Sequence, residues 1–184
     1  MPLRYPELGH DDAFKERAMN ESTVDLGADP RREVDRWLGN YSEDHRDPRN
    51  ITIHWICVPL ILWTAIALLW VVPVPAALGR AGFWAGVAMF AALVFYLRLS
   101  RALMFGMFVA FVLLGLVTEG LYRALGPGLL TWTAVAVFVA AWIGQFIGHQ
   151  LEGRKPSFLT DLAYLLIGPA WLVAKIMRRL GIAY

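Results

Sequence analysis

ITIHWICVPLILWTAIALLWVV, residues 51–72, is a 22-residue stretch without Lys, Arg, Asp or Glu. As an α-helix it would extend about 33 Å, and the hydrocarbon core of a bilayer is about 30 Å thick. Pro73 and Pro75 follow it, and proline disrupts a helix because it lacks an N–H donor and its ring clashes with the preceding turn. We therefore expect a membrane-spanning helix that ends before Pro73.

Three further apolar runs follow, at residues 82–97, 102–122 and 129–148, and none contains Lys or Arg. The whole chain is 58% hydrophobic and 17% charged, whereas soluble domains average about 45–50% and about 25%. The net charge of +2 gives no dense basic face, so we expect the lipid bilayer as a partner and no nucleic acid. The sequence predicts an all-α integral membrane bundle of four transmembrane helices.

The last apolar run, residues 158–177, differs from the others. It contains Asp161 near its start and Gly168-Pro169 in its middle. A proline inside a helix removes one backbone hydrogen bond, and a broken helix at membrane depth needs protein or water beside it. We expect a C-terminal broken helix, which either is re-entrant or forms a fifth span.

The N-terminal part of the chain is polar. Residues 1–30 lack apolar periodicity and predict a mobile tail, so that residues 31–184 form a single membrane domain. A polar helix with one apolar stripe follows at residues 31–45, and we expect it to lie along the membrane surface or to cap the bundle. The stripe consists of Val34, Trp37, Leu38 and Tyr41.

Basic residues indicate how the bundle is oriented. If four helices cross, one face collects most Lys and Arg residues of the loops, and the other face holds only Arg80 and Arg123. Cytoplasmic loops carry the excess of positive charge, so we expect a cytoplasmic N-terminus. No retention or sorting signal is visible, which favours a bacterial inner membrane over the endoplasmic reticulum. The basic face consists of Arg31, Arg32, Arg36, Arg46, Arg49, Arg98, Arg101, Arg154 and Lys155.

Three of the four histidines lie at the ends of predicted spans. His45 precedes the first span, His54 is one turn into it, and His149 ends the fourth. An even number of crossings separates them, so we expect all three at the cytoplasmic face. Histidine is the commonest metal ligand, and three neutral imidazoles at one point would suit zinc or iron.

Polar residues accompany these histidines. Glu152 follows His149 by three positions, so it could ligate the same ion or hold an imidazole ring in place. Gln145 and Asn50 each lie one turn before a histidine and could hydrogen-bond a ligand or an oxygen species. The residue pattern also admits a zinc- or iron-dependent membrane hydrolase or hydroxylase. A further alternative is a non-enzymatic scaffold or lipid-binding protein whose histidines are merely interfacial.

Two groups of motifs surround the histidines. The first group is Y-x3-H at 41–45, DPRN at 47–50 and HWICVPL at 54–60; the second is QFIGH at 145–149, EGRKPSF at 152–158 and Asp161. In this order around four apolar runs, they resemble the signatures of the Fe(II)-dependent 2-hydroxy fatty acid dioxygenase family, a membrane family of fatty acid α-oxidation. The resemblance covers roughly residues 31–177.

This resemblance implies a cofactor and a reaction. His45, His54 and His149 match the family's essential histidines, which implies Fe(II) as the cofactor instead of zinc. The implied reactants are a 2-hydroxy fatty acid and O2, and the implied products are CO2 and an acid one carbon shorter. A hydroxyl and a carboxylate on adjacent carbons form a natural bidentate chelate for a hard cation.

The same resemblance suggests where the substrate binds. Tyr41 belongs to the first group of motifs, and Arg154 and Lys155 belong to the second; we expect these residues near the substrate, where either basic side chain could pair with its carboxylate, and the alternative is that both basic residues anchor the chain at the membrane surface. Cys57 stands where many eukaryotic members have glycine, so we expect a substrate pocket that differs from theirs. The acyl tail would stay in the apolar bundle, because moving it into water costs about 0.8 kcal/mol per CH₂.

Overall fold

The structure, a computed structural model, describes residues 32–153 and 163–184, and within these ranges it is helical with no β-strand. The predicted all-α class is confirmed for this part of the chain. Glu33–Tyr184 form one compact unit, whereas the predicted tail at residues 1–30 lies outside the described residues. The helices are α1 (Glu33–Glu43), α2 (Pro48–Trp70), α3 (Phe83–Leu99), α4 (Arg101–Glu152) and α5 (Tyr164–Arg179), with a short 3₁₀ turn at Ala76–Leu78.

Helix α4 is 52 residues long and bends at Gly126. Gly126 has φ 74° and ψ 169°, a conformation open to glycine because it has no Cβ, and Pro127 lacks the N–H that would continue the helical ladder. The bend divides α4 into a first arm, residues 101–125, and a second arm, residues 127–152. The third and fourth apolar runs of the sequence fold as these two arms.

Both arms of α4 lie along α2 and share an apolar cluster with it. In the second arm, Gly148 meets Asn50 near the start of α2. In the first arm, Glu119 accepts a hydrogen bond from the indole N–H of Trp70, at the end of α2, with a separation of 3.3 Å. The second arm therefore runs antiparallel to α2 and returns the chain to the end of the bundle where α2 begins.

Two helices of the described residues, α2 and α4, are long and apolar enough to cross a membrane. Helix α3 is apolar as well, but it has only 17 residues. Each arm of α4 would extend roughly 38 Å, so its length suffices for two crossings. Large apolar side chains cover the outside of the bundle, as is typical of a surface in contact with lipid; examples are Phe90, Phe105, Leu116 and Trp132.

Helix α5 is continuous through Gly168 and Pro169, so the predicted break in this helix is wrong. Pro169 removes the N–H that would bond to the Leu165 carbonyl, and the Tyr96 hydroxyl of α3 donates to the adjacent Leu166 carbonyl at 2.8 Å, which ties this turn to α3. The residues around Pro169 are also buried, so packing holds this segment in its helical conformation. With 16 residues, α5 extends about 24 Å, which is less than the about 30 Å of a hydrocarbon core.

Helix α1 packs against α5 and caps the bundle. Its predicted apolar stripe faces inward, with Val34, Leu38 and Tyr41 buried. Trp171 of α5 donates its indole N–H to the Ser42 hydroxyl at 2.7 Å, and its ring packs edge-on against Tyr41 with 5.3 Å between centroids. Helix α1 thereby holds the loop that follows it close to the start of α2.

Two glycines let the second arm approach α2 closely. A Cβ atom on Gly144 would lie 2.7 Å from the Cys57 sulfur, and a Cβ atom on Gly148 would overlap the amide oxygen of Asn50. Only glycine fits at these positions without a shift of the Cys57 or Asn50 side chain or of the helix that carries it. Cys57, at the position where the sequence departs from the family's pattern, is therefore part of a helix–helix contact.

Gly144→Ala is expected to lower the free energy of unfolding by about 1–3 kcal/mol, because the new methyl group overpacks the contact with Cys57. The double variant with Cys57→Ala should recover much of this loss, since removal of the sulfur leaves room for the methyl group. Gly86→Ala is the matched control, because nothing lies within 4 Å of a Cβ at that position. Unfolding in detergent measures all three variants, and equal free energies for Gly144→Ala and Gly86→Ala would contradict the prediction.

Candidate metal centre

Three histidines from distant parts of the chain meet at one end of the bundle. His45 lies in the loop after α1, His54 in the second turn of α2, and His149 in the last turn of α4. The Nε2 atoms of His45 and His54 are 3.0 Å apart, and the His149 ring centroid is 5.1 Å from each of the other two. One potential ligand atom from each residue lies within 4.8 Å of the others, and all three side chains are buried. The predicted convergence is confirmed.

Backbone carbonyls determine which ring nitrogen carries the proton in two of these histidines. His45 Nδ1 lies 2.6 Å from the Tyr41 carbonyl, and His54 Nδ1 lies 2.9 Å from the Asn50 carbonyl. A carbonyl oxygen only accepts hydrogen bonds, so each Nδ1 carries the proton and donates it. In the neutral rings both Nε2 atoms then present lone pairs to one another at 3.0 Å. Such a pair is unfavourable unless a cation lies close to both atoms.

The protonation state of His45 also suits a ligand. Burial lowers the pKa of its imidazole below the ordinary value, and this effect exceeds the opposing effects of the Tyr41 hydrogen bond and the Asp44 carboxylate. The ring is therefore neutral near pH 7, which is the form that binds metals. His149 offers a further nitrogen that is available to a metal ion, because its Nδ1 is buried without a hydrogen-bond partner.

These observations together show that the residues present fit a metal ion. Two imidazoles are oriented by hydrogen bonds from their outer nitrogens, as is usual for metal-ligating histidines. The 3.0 Å between their Nε2 atoms is a spacing that two ligands about 2.0–2.1 Å from one ion can adopt. Imidazole suits zinc, copper, iron and nickel alike, so the donor set identifies a metal site without choosing the metal.

Glu152 binds the loop that carries His45 through its carboxylate. It accepts hydrogen bonds from the backbone N–H groups of Arg46 at 2.9 Å and Asp47 at 2.9 Å, and from the Asn50 side-chain amide at 3.0 Å. A carboxylate is favoured here because the N–H donors lie at the N-terminal end of α2, where the helix dipole is positive. The structure thus shows Glu152 bound to the loop of His45, and whether it also ligates an ion or positions an imidazole stays a prediction.

A cavity of about 350 Å³ opens from the three histidines into the bundle. Beyond the histidines its walls are almost entirely apolar, and four helices contribute to them. It reaches the outside of the bundle at Ala65, Phe138 and Leu165, which are exposed. The walls consist of Val58, Ile61, Leu62 and Ala65 of α2, Phe138, Trp142 and Gln145 of the second arm, Tyr164, Leu165, Leu166, Gly168 and Pro169 of α5, and Tyr41 of α1.

The other residues singled out from the sequence divide into three groups. Gln145 and Tyr41 line the cavity, and the Tyr41 ring stacks on His45 with 4.1 Å between centroids. Asn50 lies between Glu152 and Gly148 and is not among the residues that line the cavity. Arg154 and Lys155 lie outside the described residues, so their expected contact with the substrate stays a prediction.

Sequence reasoning missed the apolar walls of the cavity. The wall residues of α2 are detectable from the sequence, because positions 58, 61, 62 and 65 continue the helix face of His54 at spacings of three and four. The wall residues of α5 are not detectable in this way, since only the packed bundle brings Leu166 and Pro169 to the same cavity as His54.

Comparison with known proteins supports the resemblance noted in the motifs. A family model described as 2-hydroxy-palmitic acid dioxygenase Mpo1-like matches residues 31–180. The chain is 27% identical over 153 residues to the 2-hydroxy-palmitic acid dioxygenase MPO1 of Saccharomyces cerevisiae, which covers 78% of this chain and 79% of the yeast protein. No solved structure matches significantly. Because the family match spans most of the chain and includes all three clustered histidines, the protein belongs to the Mpo1-like family.

Proposed function

We propose that this protein is an Fe(II)-dependent dioxygenase that cleaves 2-hydroxy fatty acids in the membrane. The C1–C2 bond of the hydroxy acid breaks, one O2 is consumed, and the products are an acid one carbon shorter, CO2 and water. The observation that carries the proposal is the buried cluster of three histidines at the end of an apolar cavity. Membership of the Mpo1-like family supports the choice of reaction.

Residues at the two ends of the cavity have different roles. His45, His54 and His149 would hold the iron. The Nε2 atoms of His45 and His54 are already oriented for it, and Nδ1 of His149 has no hydrogen-bond partner. When bound, Fe(II) supplies activation of O2 and an anchor for the hydroxyl and carboxylate oxygens. The apolar walls take the acyl tail and exclude water, because each buried CH₂ favours the cavity over water by about 0.8 kcal/mol.

The shape of the bundle would let the substrate enter the cavity from the lipid. We propose four crossings, made by α2, α3 and the two arms of α4. The cavity opens between apolar, exposed residues on the outside of the bundle, so an acyl tail can enter without passing through water. The Arg179 guanidinium lies 5.5 Å from the centroid of the Trp55 ring, next to His54, which supports a basic, cytoplasmic face at the histidine end. A bacterial inner membrane is the proposed location.

The reaction is tested with purified protein loaded with Fe(II) under anaerobic conditions. After 2-hydroxypalmitate and O2 are added, we expect pentadecanoate, CO2 and O2 consumption in equal amounts. Zinc-loaded protein is the control and should form no product, since zinc has no redox chemistry. Iron-loaded, folded protein that forms no shorter acid would refute the proposed reaction. Protein that retains no metal would instead favour a lipid-binding role.

A further inference from the structure

Gln145 lines the cavity and has a buried side-chain amide, and the oxygen of this amide has no hydrogen-bond partner. Its side chain is 5% exposed, and Oε1 is buried without a hydrogen-bond partner. The residue lines the cavity and lies one helical turn before His149. Native proteins pair nearly all such atoms, so an exception calls for an explanation, such as a ligand that supplies the missing donor.

No described residue donates a hydrogen bond to this oxygen. The residues of α2 that face the cavity beyond His54 are aliphatic, namely Val58, Ile61, Leu62 and Ala65. The outer N–H groups of His45 and His54 are already donated to backbone carbonyls. Tyr41, Trp142 and Tyr164 line the cavity and carry O–H or N–H groups, but none of these groups bonds to Oε1. A ligand with one hydroxyl donor and an otherwise apolar surface would supply the missing hydrogen bond.

We propose that the Gln145 carboxamide oxygen accepts a hydrogen bond from the 2-hydroxyl group of the substrate, and so selects 2-hydroxy fatty acids over fatty acids that lack this group. The inference rests on the proposed function, because it takes the substrate class from there. An ionised carboxylate only accepts hydrogen bonds, so the 2-hydroxyl is the one group of a 2-hydroxy fatty acid that can donate to Oε1. The position of Gln145, one turn from His149, places the hydroxyl-bearing end of the ligand at the histidine end of the cavity.

Selection follows from the cost of an unpaired buried acceptor. A non-hydroxylated fatty acid can fill the same apolar walls, but it leaves Oε1 buried and without a donor. Sites built to hydrogen-bond a substrate hydroxyl discriminate against the analogue that lacks it for this reason. A methionine in place of Gln145 has a similar shape and lacks the amide oxygen, so it should remove the discrimination without emptying the space.

The test compares the dissociation constants of 2-hydroxypalmitate and palmitate for iron-loaded protein without O2, so that no turnover occurs. For Gln145→Met we expect the preference for the hydroxy acid to fall by about tenfold, with palmitate binding nearly unchanged. Leu62→Ala is the matched control, because it alters an apolar wall residue of the same cavity and should weaken both acids alike. Iron content and unfolding temperature confirm that the variants are intact, and Gln145→Leu replaces Gln145→Met if the latter does not fold.

Two results would overturn the inference. One is an unchanged ratio of the two dissociation constants in Gln145→Met. The other is an equal weakening of both acids, which would assign Gln145 to the carboxylate or to packing. Product formation in air is scored separately, so a failure of the proposed reaction shows as absent pentadecanoate, whereas a failure of the Gln145 assignment shows in the binding ratio.

Discussion

His54→Ala and His149→Ala are expected to lose the bound iron while the helical bundle stays folded. Each variant removes one of three ligands, whereas the helices that carry these residues are held by contacts along their whole length. The loss of affinity should exceed the about 10- to 100-fold that removal of an outer, non-ligating partner typically costs. Activity should disappear with the metal. Metal analysis of the purified proteins and circular dichroism measure the two effects.

His10→Ala is the control for these variants. His10 is the remaining histidine of the chain and lies in the polar N-terminal segment, outside the predicted spans. This variant should retain the metal content of the wild type. Full metal content in His54→Ala or His149→Ala would show that the cluster is not the binding site.

Glu152→Ala is expected to weaken iron binding by about 10- to 100-fold, which is less than the loss of a histidine ligand. The carboxylate ties the loop of His45 to the end of α4 through the Arg46 and Asp47 amides, so its removal lets that histidine move away from the other two. Glu152→Gln should have a smaller effect, because one acceptor oxygen remains. Titration with Fe(II) under anaerobic conditions measures the dissociation constants.

Amide hydrogen exchange separates this role from direct ligation. If Glu152 acts through the loop, the N–H groups of Arg46 and Asp47 should exchange faster in Glu152→Ala even without metal. Glu43→Ala, which removes an exposed acidic residue at the end of α1, is the control and should change neither exchange nor affinity. Unchanged exchange together with a loss of affinity as large as that of His54→Ala would identify Glu152 as a ligand.

Several features were predictable from the sequence because they depend on local physics. Apolar runs of helical length determine where α2, α3 and the arms of α4 lie, and Gly126-Pro127 marks the bend between the arms. The meeting of His45, His54 and His149 was expected from the even number of predicted crossings together with the positions of these residues at helix ends. Neither inference requires knowledge of how any side chain packs.

Helix α5 and Glu152 show what could not be predicted from sequence. The sequence predicted a break at Gly168-Pro169, whereas burial against the neighbouring helices keeps α5 helical and a hydroxyl from α3 ties the turn before the proline. The sequence placed Glu152 beside His149, but it gave no sign that the backbone N–H groups of a loop about 105 positions earlier in the chain bind its carboxylate. Each outcome depends on a partner that is distant in the sequence.

A helical bundle with three imidazoles at one end can be predicted from sequence alone, because the hydrophobic effect and helical periodicity act over neighbouring residues. The packed helices are needed to specify which protons those imidazoles carry, how the His45 loop is held, and which apolar side chains form the cavity. These properties arise from contacts between helices, and a hydrogen bond or a wall residue is specified only once the packed neighbours are in place.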